Sequence, residues 1–322
     1  MRRTLSLFLI IILIIAACSG CESNSKTASE QTASDSKIDI VTTIFPPYDF
    51  TRQIVGDKAN VTMLLAPGAE SHSYEPTPQD IIKIQNCDLF IYVGGENDEW
   101  VNSILDSMNK DKIQTIALLD CVKPIREELK EGMESEEENP SSSTDGVEYD
   151  EHVWTSPQNA ILITNFIRDV LCHIDRNNAE TYQSNAESYT ERLYQLDKEF
   201  QDIVKNAKRN TIVFGDRFPL RYFTEAYGLN YWAAFPGCSA ETEPSAATVA
   251  FLTDKVKAGK IPVVFKIELS NGNVAQSIAD SAGAKVITFY SCHNLSKSDF
   301  DRGATYLDLM GKNVESLKKA LN

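Results

Sequence analysis

The chain has 322 residues, with 31 Lys and Arg against 46 Asp and Glu, for a formal net charge of −15. That acidity excludes a non-specific nucleic-acid binder, which needs a basic face. With 42% hydrophobic and 24% charged residues the chain is neither disordered throughout nor collagen-like, and its length allows two domains, each with its own core.

The one long apolar run opens the chain, which rules out a multispan membrane protein. Arg2 and Arg3 precede an apolar stretch over residues 5–17, shorter than the ~20 residues of a membrane span. Residues 1–17 therefore read as a secretory signal peptide. Its end, Ile15-Ala16-Ala17-Cys18, resembles a bacterial lipobox, in which the Cys becomes the lipidated first residue after cleavage; Cys21 offers a poorer second frame. Residues 18–37 read as a flexible tether between a lipid anchor in the bilayer and the folded body.

From residue 38 strands and helices alternate. The β-branched run 37–43 predicts a strand stopped by Pro46-Pro47, then a short helix over 48–54. Strands follow at 61–65, 88–93 and 114–118, with helices from Pro78, capped by Thr77, and over 100–108. Over 178–208 the pattern changes: Tyr182, Tyr189, Leu193, Leu196, Phe200 and Ile203 recur at helical spacing with no Gly or Pro. A helix of that length connects lobes rather than flanking a sheet. Alternation then resumes, with strands at 211–214, 231–235, 261–265 and 285–290 and a last helix over 306–321. The fold class is α/β: two lobes (38–177 and 209–322), each a mostly parallel sheet flanked by helices, joined by one long linker helix.

Residues 127–151 hold 11 acidic residues and one Lys, so −10 of the net charge falls in one segment. It reads as a solvated, disordered loop. A loop that gathers cations beside a metal site is the alternative.

The chain has four histidines. His72, His152 and His293 fall in loops at or near strand ends, where open α/β sheets bind ligands. Imidazoles with carboxylates form a transition-metal donor set. His173 follows a helix in no motif and reads as structural or surface. No His-Glu-x-x-His, Gly-x-Ser-x-Gly or phosphate-loop motif is present.

Two stretches make the histidines specific. Ser71-His72-Ser73-Tyr74-Glu75-Pro76-Thr77-Pro78 and Asp150-Glu151-His152-Val153-Trp154-Thr155-Ser156-Pro157 resemble the metal-binding motifs of the zinc/manganese substrate-binding lipoproteins of ABC transporters. The resemblance runs over about 38–321. It implies two α/β lobes on a rigid helix, with metal in the cleft and His72 and His152 as ligands. It also implies a third His after the first strand of the second lobe. Here that place falls at or near Arg217, which cannot ligate because a guanidinium stays protonated. Glu268 matches one version of the fourth ligand, and His293 stands where the other version has Asp. The expected set is therefore His72, His152, Glu268 and His293, with Asp216 in reserve.

The resemblance implies capture of Zn2+ (Mn2+ as the alternative) and delivery to a membrane permease by an extracytoplasmic, lipid-anchored monomer. Catalysis is not expected. An adhesion lipoprotein with a degenerate metal site is the reading from another class. Imidazole donors must be deprotonated, so affinity falls as pH drops through about 6.5. Cys238 and Cys292 both lie in second-lobe loops, as a disulfide, as soft ligands or as thiols.

Overall fold

The computed structural model describes residues 37–70, 74–95, 98–108, 113–133, 148–239 and 243–322. The expected signal peptide and lipidation site at Cys18 or Cys21, most of the tether, and His72 lie outside the described residues.

The first lobe contains β1 (Asp39–Thr42), α1 (Phe45–Val55), β2 (Asn60–Met63), α2 (Pro78–Asn86), β3 (Leu89–Tyr92), α3 (Glu99–Asp106) and β4 (Gln114–Ala117). Its sheet has the order β2-β1-β3-β4, and every pairing is parallel. Leu89, Phe90 and Ile91 of β3 are all buried, as expected of a strand covered on both faces. The α1 helix begins at Phe45, three residues before the expected start. Pro46 and Pro47 occupy its first turn, where a missing N–H costs nothing, so they open a helix instead of only ending a strand. Thr77 caps α2 in a reciprocal box with Asp80.

Two antiparallel helices follow, α4 (Pro157–Ile174) and α5 (Ala179–Lys205). The 27 residues of α5 span about 40 Å. Tyr182, Tyr189, Leu193, Leu196, Phe200 and Ile203 form its buried face.

The second lobe repeats the winding of the first. It contains β5 (Thr211–Phe218), α6 (Arg221–Tyr227), β6 (Asn230–Pro236), α7 (Ala246–Gly259), β7 (Val263–Lys266), α8 (Asn273–Ala282), β8 (Lys285–Thr288), α9 (Lys297–Asp301) and α10 (Tyr306–Leu321). The sheet order is β6-β5-β7-β8, again all parallel. The β5 strand runs four residues beyond its expected end at Phe214, through a register shift between Phe214 and Arg217. Gly215 sits in that irregularity, where any side chain would run into the backbone of Ala275. A bulge of this kind re-aims the residues that follow, here Asp216 and Arg217.

One apolar core runs through both lobes, from Phe50 and Trp154 through Tyr189 and Tyr306 to Phe214, Phe265 and Phe289. A buried carboxylate, Asp49 of α1, sits at the junction. It accepts from Arg52 Nε (2.6 Å), from the backbone N–H of Tyr306 at the start of α10 (2.7 Å) and from Tyr189 Oη of α5 (3.4 Å).

The acidic segment departs from the solvated loop expected of it, because its described ends are docked. Glu127 N donates to Glu148 O, and Asp150 N to Ile125 O, so both ends leave the fold from one antiparallel bridge. Residues 127–133 then lie along the second lobe. Glu128 pairs with Arg221 (3.1 Å) and accepts from Tyr231 Oη (3.3 Å), Lys130 sits 4.7 Å over the Tyr231 ring, and Gly132 abuts Phe251. Met133 is buried.

Candidate metal centre

Loops that follow strands of both sheets meet at one cavity, lined by Ala69 and Glu70 of the first lobe and by Arg217, Glu268, Ser291 and His293 of the second. His152 begins a short 3-10 turn, Val153–Thr155, just before α4. Its ring is fully buried, and its backbone N–H donates to Asp150 Oδ1 (2.8 Å). The same oxygen lies 3.2 Å from His152 Nδ1. An ionised carboxylate only accepts, so Nδ1 carries the hydrogen and Nε2 the lone pair, as a metal ligand needs.

The turn is gripped from the second lobe. Trp154 Nε1 donates to Ser291 O (2.9 Å), and Tyr306 Oη donates to Trp154 O (2.7 Å). Tyr222 Oη donates to Asp150 O (2.9 Å). Gly237 packs so closely that a Cβ there would lie 3.0 Å from His152 Cε1.

His293 follows β8. Its ring centroid is 5.3 Å from that of His152 and 5.0 Å from that of Trp154. Glu268 follows β7, and its carboxylate accepts from Ser291 N (2.6 Å) and Ser291 Oγ (2.8 Å). Burial pushes its pKa up, against those two bonds. Glu268 and His293 line one cavity of about 50 Å3 together with Glu70 and Arg217. On its other side His293 lines a second small cavity with Asp98 and Glu151.

Backbone strain lies next to both Glu268 and His293. Leu269 (φ +63°) and Cys292 (φ +61°) adopt the left-handed conformation without being glycine. Each adjoins a candidate ligand, Glu268 and His293 respectively. Such a conformation costs on the order of 1–2 kcal/mol and collects at functional sites.

Asp216, the reserve ligand, holds backbone instead: Oδ1 accepts from Arg217 N (2.9 Å) and Oδ2 from Ile267 N (3.2 Å). It lines a neighbouring cavity, again with Glu70 and Arg217. Arg217 pairs with Glu70 of the first lobe. His173 is exposed in the last turn of α4. Cys238 and Cys292 are unbridged thiols, so the disulfide alternative falls away; burial pushes both thiols well up. Among the described residues no three His, Cys, Asp or Glu side chains stand close enough to hold a metal, so His152, Glu268 and His293 do not converge on one point in this structure; His72 lies outside the described residues.

Sequence reasoning missed Glu127. Its Oε1 accepts from Gly237 N (3.1 Å), the glycine beside His152. Burial, and then the charge of Asp150, push its pKa up to about 9. Burial also opposes the charge on Asp150, but His152 and the hydrogen bonds outweigh it and hold Asp150 below the usual carboxylate range. One proton therefore stays on Glu127. A raised carboxyl pKa gives stability that is full below about 4.5 and lost as pH rises towards about 9. Glu127→Gln should make the metal-free protein more stable at pH 8 by on the order of 2 kcal/mol, with no gain at pH 4. Urea titrations at both pH values check this; an equal effect at both would refute it.

Comparison with known proteins adds the following. Residues 40–320 match the family model described as zinc-uptake complex component A, periplasmic. The chain is 36% identical over 294 residues to the zinc-binding lipoprotein AdcA of Streptococcus pneumoniae, covering 90% of this chain but only 57% of that one. It is 33% identical over 314 residues to the high-affinity zinc uptake system protein ZnuA of Bacillus subtilis, covering 96% and 94%. The crystal structure of the Zn(II)-bound ZnuA-like domain of Streptococcus pneumoniae AdcA superposes with a TM-score of 0.70 at 33% identity, over 89% of this chain and 99% of that one.

Proposed function

Because the chain belongs to the family of the periplasmic zinc-uptake complex component A, we propose that it captures zinc in the cleft between its lobes and hands it to the permease of an ABC importer. The observation that carries this reading is the meeting of His152 and His293, from loops 141 residues apart, with ring centroids 5.3 Å apart and Glu268 on the same cavity as His293. Three imidazoles, those of His72, His152 and His293, with the Glu268 carboxylate would make a four-donor set suited to tetrahedral zinc once they close on the ion. Manganese prefers more oxygen donors and is the poorer fit. A shell closed by protein ligands serves binding and release, since a catalytic zinc keeps a position for water.

The N-terminal signal and Cys18 (or Cys21) support an extracytoplasmic protein held to the bilayer by lipid, close to its permease. The chain spans 57% of the AdcA length, so its role is proposed for this region alone.

The test is elemental analysis of stripped and reloaded protein, followed by competition with manganese. About one zinc per chain, retained against excess manganese, is expected. Failure to take up zinc, or its displacement by manganese, refutes the reading. Glu268→Ala and His293→Ala should each lower the zinc retained; unchanged stoichiometry removes that residue from the donor set.

A further inference from the structure

The segment 65–70 of the first lobe is held from the second lobe. Its first residues stay with their own sheet, Leu65 N donating to Thr43 O and Ala69 N closing a turn on Ala66 O. Gly68, at φ +84°, makes that turn possible. Asn294, buried and next to His293, then donates through Nδ2 to both Ala66 O and Ala69 O, each at 2.9 Å. Arg217 reaches across to Glu70 through Nη2 (3.0 Å) and Nη1 (3.4 Å), while Nη1 also donates to Ser239 O (3.3 Å). The Arg217 side chain is 13% exposed and that of Glu70 49%, so the pair sits at the mouth of the cleft.

The third imidazole that the sequence resemblance implies falls at or near Arg217. We infer that the Arg217–Glu70 ion pair is a latch. It holds the segment 65–70 shut across the cleft and sets the rate of cation release, a task that a metal–ligand bond would otherwise perform. Several features support this assignment. The bulge in β5 aims Arg217 at the cleft. A guanidinium cannot ligate but can grip a carboxylate through two nitrogens. Glu70 offsets the positive charge that Arg217 brings near a divalent cation. Asn294 ties the same segment by neutral hydrogen bonds, so of the ties on this segment salt weakens the Arg217–Glu70 pair. The half-exposed Glu70 leaves the pair open to screening. Arg217 and Glu70 act here as positioning residues for the zinc-binding reading, on which the inference rests.

The experiment is zinc release into excess chelator by stopped flow, for the wild type, Arg217→Gln, Glu70→Gln and the double variant. Amide exchange of residues 64–70 in the zinc-free proteins accompanies it. Each single variant should release zinc about five- to ten-fold faster at low salt, and the double variant no faster than the faster single. Raising NaCl from about 0.05 M to about 1 M should speed release from the wild type and leave the variants unchanged. Amides of 64–70 should exchange faster in both single variants. Wild-type release rates in the variants, additive effects in the double variant, or the same salt response in all four proteins would overturn the latch. A wild-type chain that binds no zinc refutes the function proposed above. The exchange comparison still judges the latch in that case, since unchanged protection of 64–70 in both variants refutes it.

Discussion

His152→Ala should lower zinc affinity at least 100-fold, because loss of an outer-shell partner alone costs 10–100-fold and this change removes a donor. The effect is large because His152 is the best-supported of the candidate donors. Asp150 fixes its tautomer, Trp154 and Tyr306 hold its turn, and Gly237 closes over its ring. The zinc-free variant should also lose about 2 kcal/mol, since Asp150 keeps its buried charge without the imidazole. The two effects separate in a thermal scan with and without zinc. At a zinc concentration 1,000 times the dissociation constant, the wild type gains about 4 kcal/mol from the ligand, while the variant should gain almost nothing. An equal zinc-induced shift in both proteins would remove His152 from the site.

Asp49→Ala should destabilise the protein by about 3 kcal/mol, although it lies outside the cleft and removes no apolar group. Its carboxylate is fully buried and serves three elements at once: Arg52 on α1, Tyr189 on α5 and the first N–H of α10 at Tyr306. Truncation leaves the Tyr306 N–H buried without an acceptor and Arg52 without its carboxylate. Breaking a buried ion pair costs 3–5 kcal/mol. The lower end applies because Arg52 is partly exposed and keeps its bond to Ala304 O (2.6 Å). For a chain of this size the melting point should fall by about 6–10 °C. Asp49→Asn, which keeps an acceptor for Tyr306, should recover part of the loss. A melting point within about 2 °C of wild type for the alanine variant would refute the role.

The alternation of strand and helix was legible because parallel strands buried on both faces read as short apolar runs, and a long helix reads by its spacing. The last helix falls at 306–321 as the pattern predicts. What failed to show depends on partners far along the chain. Gly215-Asp216 looks like a strand end, yet β5 continues through it because Ala275 leaves room only for a glycine there. Glu127 and Glu128 look like part of a solvated acidic run; their partners Gly237, Arg221 and Tyr231 are about a hundred residues away. Of the candidate site, the motifs named His72 and His152. Glu268 and His293 came from the two versions of the fourth ligand that the resemblance implies, and the structure puts both on one cavity. The use made of Arg217 was not legible, because its partner Glu70 belongs to the other lobe.

The docked arm at 127–133 has a mechanical meaning. Two bodies joined by a single rod can swing about either end of it. Here α5 is the rod, and the arm is a second tie set to one side of it, fastened at Gly237, Arg221 and Tyr231. Two offset ties resist swinging and leave mainly a small twist or slide. The protein is thus braced against a wide gape.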